Sequence, residues 1–191
     1  MAGSALETYL NDHLAGAMFG SDLAEQIRAR TEETRIGDLM ASLAQQIEED
    51  RQSLVGLMER MGISQSQVKQ ATTWLAEKAS RVKLGGMTAA ETGLSMLMAL
   101  ETLTLGVAGK RALWAALSAV EGEHPELNAA ELDVLISRAE SQQRLLERER
   151  VEAGRTALGG DVGGTALGGD ERRSTIAAGR IGVAGSIVCA R

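Results

Sequence analysis

The stretch that decides the fold is TAAETGLSMLMALETLTLGVAGKRALWAALSAVE, residues 88–121. It contains no proline, and its apolar residues recur every three or four positions, which is typical of a helix. They form two seams about 200° apart around the helix axis. Because a helix that is apolar on opposite sides is buried on both, we expect one seam to face a bundle core and the other a further helix or a second subunit. Seam A is Leu94, Met98, Glu101, Leu105, Ala108 and Ala112; seam B is Leu100, Leu103, Val107, Lys110, Trp114 and Leu117.

Three further long helices are predicted around this one. Ser4 and Asn128 are favourable N-cap residues, each followed three positions later by a glutamate, and Gly62 has the position of a glycine that ends a helix. The predicted helices cover about residues 4–30, 38–62 and 128–151, with a shorter amphipathic helix at about 64–82. This order predicts an all-α fold, a four-helix bundle with a helical crossover between helices 2 and 3.

The composition excludes several classes of protein. Aromatic residues make up 2% of the 191 residues and there is one proline, which argues against β-sandwiches and barrels. The net charge of −6 provides no basic field for nucleic acid. A run of about 18 apolar residues and a secretory signal are both lacking, so we expect no membrane span and no export. The single cysteine, Cys189, cannot form an internal disulfide, which favours a cytoplasmic location.

The last part of the chain differs in composition from the rest. TALGGD occurs at 156–161 and again at 165–170, and glycine pairs at this density disfavour a helix or a core strand. We therefore predict a helical bundle at residues 1–155 and a flexible, disordered Gly-rich tail at 156–191. The tail is interpreted as low-complexity sequence or an accidental extension of the reading frame. The alternative is a docking peptide for a protein partner, because residues 181–187 have some likeness to encapsulin targeting peptides.

Five polar residues interrupt the apolar seams and would need partners if buried. One interpretation is a cluster of internal ion pairs, such as Asp50 with Lys110 and His13 with Glu101, that sets the helix register. The other interpretation is a metal or small-ligand site in the core. The five residues of this predicted buried polar cluster are His13, Asp50, Glu101, Lys110 and Gln142.

Three strings in the chain resemble known sequences: YLNDHLAG at 9–16, WLAEK at 74–78 and LGVAGK at 105–110. With these strings, residues 6–152 resemble ferritin-like proteins, and more closely an uncharacterised bacterial ferritin-like group. The resemblance implies a ferritin-like four-helix bundle. Members of the wider superfamily bind two iron ions through one Glu on each of two helices and a Glu-x-x-His on each of the other two.

The chain departs from that iron-binding pattern. Its only Glu-x-x-His begins at Glu121 and abuts Pro125 at a predicted helix end. His13, Asp50 and Glu101 could still supply three ligands to a single Zn²⁺, Mn²⁺ or Fe²⁺ ion. We predict a non-enzymatic, dimeric cytoplasmic protein with a structural polar cluster and no catalytic residues. The alternative is a metal-binding bundle with oxidoreductase activity.

Overall fold

A computed structural model describes residues 5–65 and 89–159 of the chain. Four long helices make up most of these residues, and no strand occurs among them. They are α1 (Ala5–Arg30), α2 (Arg35–Arg60), α3 (Ala89–Ala119) and α4 (Ala129–Leu158), with a one-turn 3₁₀ helix at Glu121–Glu123 before α4. The predicted all-α class and helical bundle are therefore confirmed.

The two N-caps that the structure describes illustrate how local chemistry sets the helix ends. Asn128 caps α4 as predicted, because its Oδ1 accepts a hydrogen bond of 3.1 Å from the Glu131 amide. The start of α2 at Arg35 is three residues earlier than predicted. Thr34 caps it by accepting from the Gly37 amide at 3.1 Å and donating to the Thr31 carbonyl at 2.6 Å. The connection between α1 and α2 is consequently only four residues long.

The predicted end of the fourth helix near Val151 was wrong, because α4 continues to Leu158. Gly154 does not break the helix. An added Cβ there would lie 3.8 Å from Leu97, and one on Gly93 of α3 would lie 3.6 Å from the Ala157 backbone. These small residues allow the start of α3 to pack closely on the end of α4. Residues 156–158, which were assigned to the tail, therefore belong to the bundle.

The helix directions follow from two apolar clusters. In the first cluster, residues near the start of α1 and α4 contact residues near the end of α2 and α3. In the second cluster the ends are reversed: later residues of α1 and α4 contact earlier residues of α2 and α3. Accordingly α1 and α4 run in one direction, and α2 and α3 run in the other. The α1–α2 and α3–α4 pairs have the most extensive contacts, and α1–α3 and α2–α4 contacts complete the ring. All neighbours are therefore antiparallel.

Because α2 and α3 are parallel, the chain between them connects opposite ends of the bundle. The crossover helix predicted at about 64–82 lies outside the described residues, apart from Ser64 and Gln65. The tail beyond residue 159 also lies outside them.

The two seams of α3 have different surroundings. Seam B forms part of the core, where Leu100, Trp114 and Leu117 are each at most 1% exposed. Seam A faces outward: Leu94 is 45%, Met98 44% and Leu105 73% exposed. Burial on both sides was expected, and the structure shows it only for seam B.

One segment of α3, Thr92–Ala119, has the length and mean hydropathy, 1.3, of a potential membrane span. A core helix of a helical bundle meets the same criteria, since it is apolar around much of its circumference. Glu101, Lys110 and Arg111 interrupt the segment. The expected absence of a membrane span stays a prediction.

The tight turn before α2 makes Gly37 sensitive to substitution. An added Cβ would overlap the Thr31 carbonyl oxygen, so we expect Gly37→Ala to lower the free energy of unfolding by about 1–3 kcal/mol despite the better helix propensity of alanine. Gly56→Ala, further along α2, is the matched control, because a Cβ there meets only Arg60 at 3.9 Å and should stabilise slightly. Urea unfolding measures both variants, and equal effects would contradict the prediction.

Candidate functional site

Four side chains form a charged cluster in the middle of the bundle. We call Asp50, Lys110, Arg138 and Gln142 the central cluster. Asp50 lies between the core residues Ile47 and Leu54 of α2, and Lys110 lies between Val107 and Leu113 of α3. The central cluster therefore separates the two apolar clusters, at the level where Lys110 of α3 reaches Asp50 of α2 across the diagonal of the bundle.

The carboxylate of Asp50 is the shared acceptor of this cluster, and its side chain is 0% exposed. Lys110 Nζ donates to Asp50 Oδ2 and, at 2.6 Å, to Gln142 Oε1. Gln142 Nε2 donates to Asp50 Oδ2 at 3.1 Å and to Gln46 Oε1 at 3.3 Å. Arg138 Nε lies 2.7 Å from Asp50 Oδ1, although its N–H does not point at that oxygen in hydrogen-bond geometry. Groups from α3 and α4 thus engage one carboxylate of α2.

The charges of the cluster are balanced by a surface residue. Arg138 also donates to Glu49 Oε2 at 3.0 Å, so two cations face two carboxylates. Burial lowers the pKa of Lys110, and the attraction of Asp50 opposes that shift. A buried charge without a partner would cost several kcal/mol, so the mutual pairing is what permits these residues in the core.

Glu101 does not join the central cluster. It belongs to seam A, its side chain is 47% exposed, and it pairs with Arg150 of α4 at 3.4 Å. The predicted His13–Glu101 pair and the three-ligand set of His13, Asp50 and Glu101 are therefore not brought together, because seam A points away from the core. Within residues 5–65 and 89–159, no group of three His, Cys, Asp or Glu side chains is placed to hold a metal ion.

His13 lies on α1, beside the central cluster but not in it. Its ring meets the Tyr9 ring edge-on with centroids 4.5 Å apart. Burial lowers its pKa, and the charge of Asp12 partly opposes this effect. His13 lines the same cavity as Asp50 and Lys110.

That cavity has a volume of about 190 Å³ and lies between α1, α2 and α3. It reaches the surface between α1 and α3, where the lining residues Asp12 and Gly106 are exposed. Most of its wall is apolar, and Trp114 is one of the lining residues. We call this space the α1/α3 cavity.

Two charged residues of the interior were not identified from the sequence. Arg138 lies four residues before Gln142, so both reach Asp50 from one face of α4. Glu149 extends the α4 seam by three residues beyond Leu146, and it is 6% exposed. Arg35 Nη1 and Nη2 donate to Glu149 Oε1 and Oε2 at 3.1 and 2.6 Å. Helical spacing could have indicated both positions. Their partners could not be inferred in this way, because Asp50 and Arg35 come from distant parts of the chain.

Comparisons of this chain with protein-family models, with curated proteins and with solved structures gave no match.

The partial burial of His13 predicts a pH dependence of stability. Because the pKa of His13 is lower in the folded state than the usual value near 6.5, the unfolded chain takes up the proton first as the pH falls, which favours unfolding. His13→Gln should therefore reduce the loss of unfolding free energy between about pH 7.5 and about pH 5.5.

Urea unfolding at both pH values measures this effect. His124→Gln is the matched control, since His124 is the other of the two histidines and lies beyond α3, just before α4. A pH dependence in His13→Gln identical to that of the unsubstituted protein would contradict the prediction.

Proposed function

We propose that this chain is a non-enzymatic helical-bundle protein whose central cluster is structural. The observation that carries the proposal is the state of Asp50. Its side chain is fully buried, Oδ2 accepts from Lys110 and Gln142, and Oδ1 faces the Arg138 guanidinium. A carboxylate that is 0% exposed and flanked by two cations is poorly placed for a metal ion or a reacting group, because the cations repel a metal ion and burial closes off its oxygens.

A ferritin-like architecture is part of the proposal. The parallel direction of α2 and α3, the antiparallel neighbours and the long connection between α2 and α3 support it. Ferritin-like proteins place carboxylates and metal ions in the bundle core. In this chain the positive charge near the core carboxylate comes from Lys110 and Arg138, which suits a bundle held together without a metal.

The proposal also includes a homodimer. Seam A supports it, because Leu94, Met98 and Leu105 leave an apolar row exposed along α3. The alternative cover predicted from the sequence, the helix at about 64–82, lies outside the described residues. The cytoplasmic location proposed for the protein depends on composition alone.

A metal-binding bundle is the alternative function. Its support is that His13 and Asp50 both line the α1/α3 cavity. Two such ligands are fewer than the three that protein sites commonly supply to catalytic zinc, and the Lys110 ammonium beside Asp50 repels a cation.

Substitution of Asp50 tests the structural role. Asp50→Leu leaves Lys110 and Arg138 facing an apolar side chain, so we expect the free energy of unfolding to fall by about 3–5 kcal/mol. Replacing all three residues, with Lys110→Met and Arg138→Met added, should restore most of it, because no unpaired buried charge remains and Glu49 is exposed to solvent. Glu101→Gln is the control, and the loss of its exposed pair with Arg150 should cost less than about 1 kcal/mol.

Metal analysis distinguishes the structural role from the metal-binding alternative. After addition of Fe²⁺, Mn²⁺ or Zn²⁺ and desalting, elemental analysis should find no stoichiometric metal in the unsubstituted protein. Metal retained at one ion per chain and lost in His13→Ala and in Asp50→Leu would overturn the structural assignment and support the metal-binding function.

Sedimentation tests the dimer separately. We expect the unsubstituted protein to sediment as a dimer and Leu105→Lys, on seam A, to shift it toward monomer, because a buried charge at an apolar interface is unfavourable. Val134→Lys is the matched control on α4, where a comparably exposed apolar residue lies off seam A. A strict monomer would remove the dimer from the proposal and leave the central cluster unaffected.

A further inference from the structure

The α1/α3 cavity is bordered by glycines that packing does not require. Gly16 and Gly20 of α1 and Gly106 and Gly109 of α3 line it, and an added Cβ at any of them would meet no atom within 4 Å. A glycine inside a helix costs about 1 kcal/mol relative to alanine. The chain therefore keeps open space at four helix positions where alanine would fit.

The size and walls of the cavity indicate the kind of molecule it can hold. An apolar cavity of about 150 Å³ can bind benzene, and this one measures about 190 Å³. Its deep wall consists of large apolar side chains, with only the mouth reaching solvent. It thus has room for one aromatic ring with a short substituent. The apolar wall residues include Phe19, Leu23, Ile47, Leu54, Leu103 and Val107.

Among the polar groups of the wall, Lys110 offers a free hydrogen-bond donor. A lysine ammonium has three N–H groups, and Lys110 uses two of them, for Asp50 and Gln142, so one remains. Asp50 Oδ1 has no hydrogen-bond partner among the described residues, but the Asp50 side chain is 0% exposed and is therefore closed to a ligand. Thr102 donates to the Met98 carbonyl at 2.8 Å.

Two other charged residues of the wall, Arg51 and Asp12, are paired or exposed. Arg51 Nε and Nη2 donate to Glu48 at 2.8 and 2.6 Å, and the guanidinium lowers the pKa of Glu48 to about 2. Asp12 is exposed at the mouth, where solvent screens its charge. A carboxylate oxygen placed beside the central cluster would therefore meet the ammonium of Lys110.

We propose that the α1/α3 cavity binds a small aromatic monocarboxylate, with the ring among the apolar side chains and the carboxylate at Lys110. The central cluster keeps its structural role, because the ligand uses only the third N–H of Lys110. This inference stands independently of the dimer and of the metal-binding alternative.

The indole signal of Trp114 provides a direct test. The chain has two tryptophans, so Trp74→Phe leaves one indole N–H in a ¹H–¹⁵N spectrum. The probes are phenylacetate, neutral 2-phenylethanol and cationic 2-phenylethylamine at millimolar concentration. We expect phenylacetate to shift the signal and raise the melting temperature, 2-phenylethanol to bind at least about tenfold more weakly, and 2-phenylethylamine not to bind.

Cavity-filling variants locate the site. Gly109→Leu places a side chain in the cavity and should abolish the phenylacetate response, whereas Gly56→Leu on α2, outside the cavity wall, should retain it. Lys110→Met should remove the preference for phenylacetate over 2-phenylethanol. If that variant does not fold, the comparison of the three probes on the unsubstituted protein still tests whether binding requires a negatively charged ligand.

Three results would overturn the proposal. They are the absence of any response to phenylacetate, equal binding of 2-phenylethylamine, and an unchanged response in Gly109→Leu. The melting temperature of each variant without probe shows that it is folded.

Discussion

A buried carboxylate requires positive charge and hydrogen-bond donors around it, and in this bundle that requirement determines how three helices meet. Asp50 of α2 is reached by Lys110 across the diagonal and by Arg138 and Gln142 from α4. Apolar contacts above and below the central cluster are non-directional and tolerate small shifts of one helix along another. In the structural role proposed for the central cluster, its directional ion pairs select one register among several that would bury similar apolar area. The two apolar clusters then supply the driving force for folding, and the central cluster specifies the alignment.

Much of the architecture could be predicted because it depends on local pattern. The spacing of seam B predicts its burial, and Asn128 predicts the start of α4 through a cap that involves only neighbouring residues. The association of Asp50 with Lys110 could be inferred because both interrupt apolar seams near the middle of their helices. These predictions require only the periodicity of a helix and the rule that a buried charge needs a partner, and both can be applied to the sequence alone.

Other features depend on tertiary contacts that no local pattern contains. Glu101 interrupts a seam as Lys110 does, but its seam faces outward, and the sequence alone does not say which side of α3 faces the core. Arg138 was missed because arginine next to a seam is typical of a solvated helix face. The fourth helix was predicted to end near Val151, whereas packing of Gly154 against Leu97 accompanies its continuation to Leu158. In each case the neighbouring helix decides the outcome.

The order of the helices along the chain has a consequence for the rate at which the native state opens. The α1–α2 and α3–α4 pairs are each joined by short connections and contain the most extensive contacts, so closing these hairpins costs little loop entropy. The central cluster instead joins residues 60 and 92 positions apart. Contacts of that separation tend to form after the local hairpins, on the native side of the folding barrier. Interactions formed late chiefly slow unfolding and have little influence on the speed of folding. The ion pairs at the centre would thus determine the lifetime of the assembled bundle, and the apolar seams the speed of its assembly.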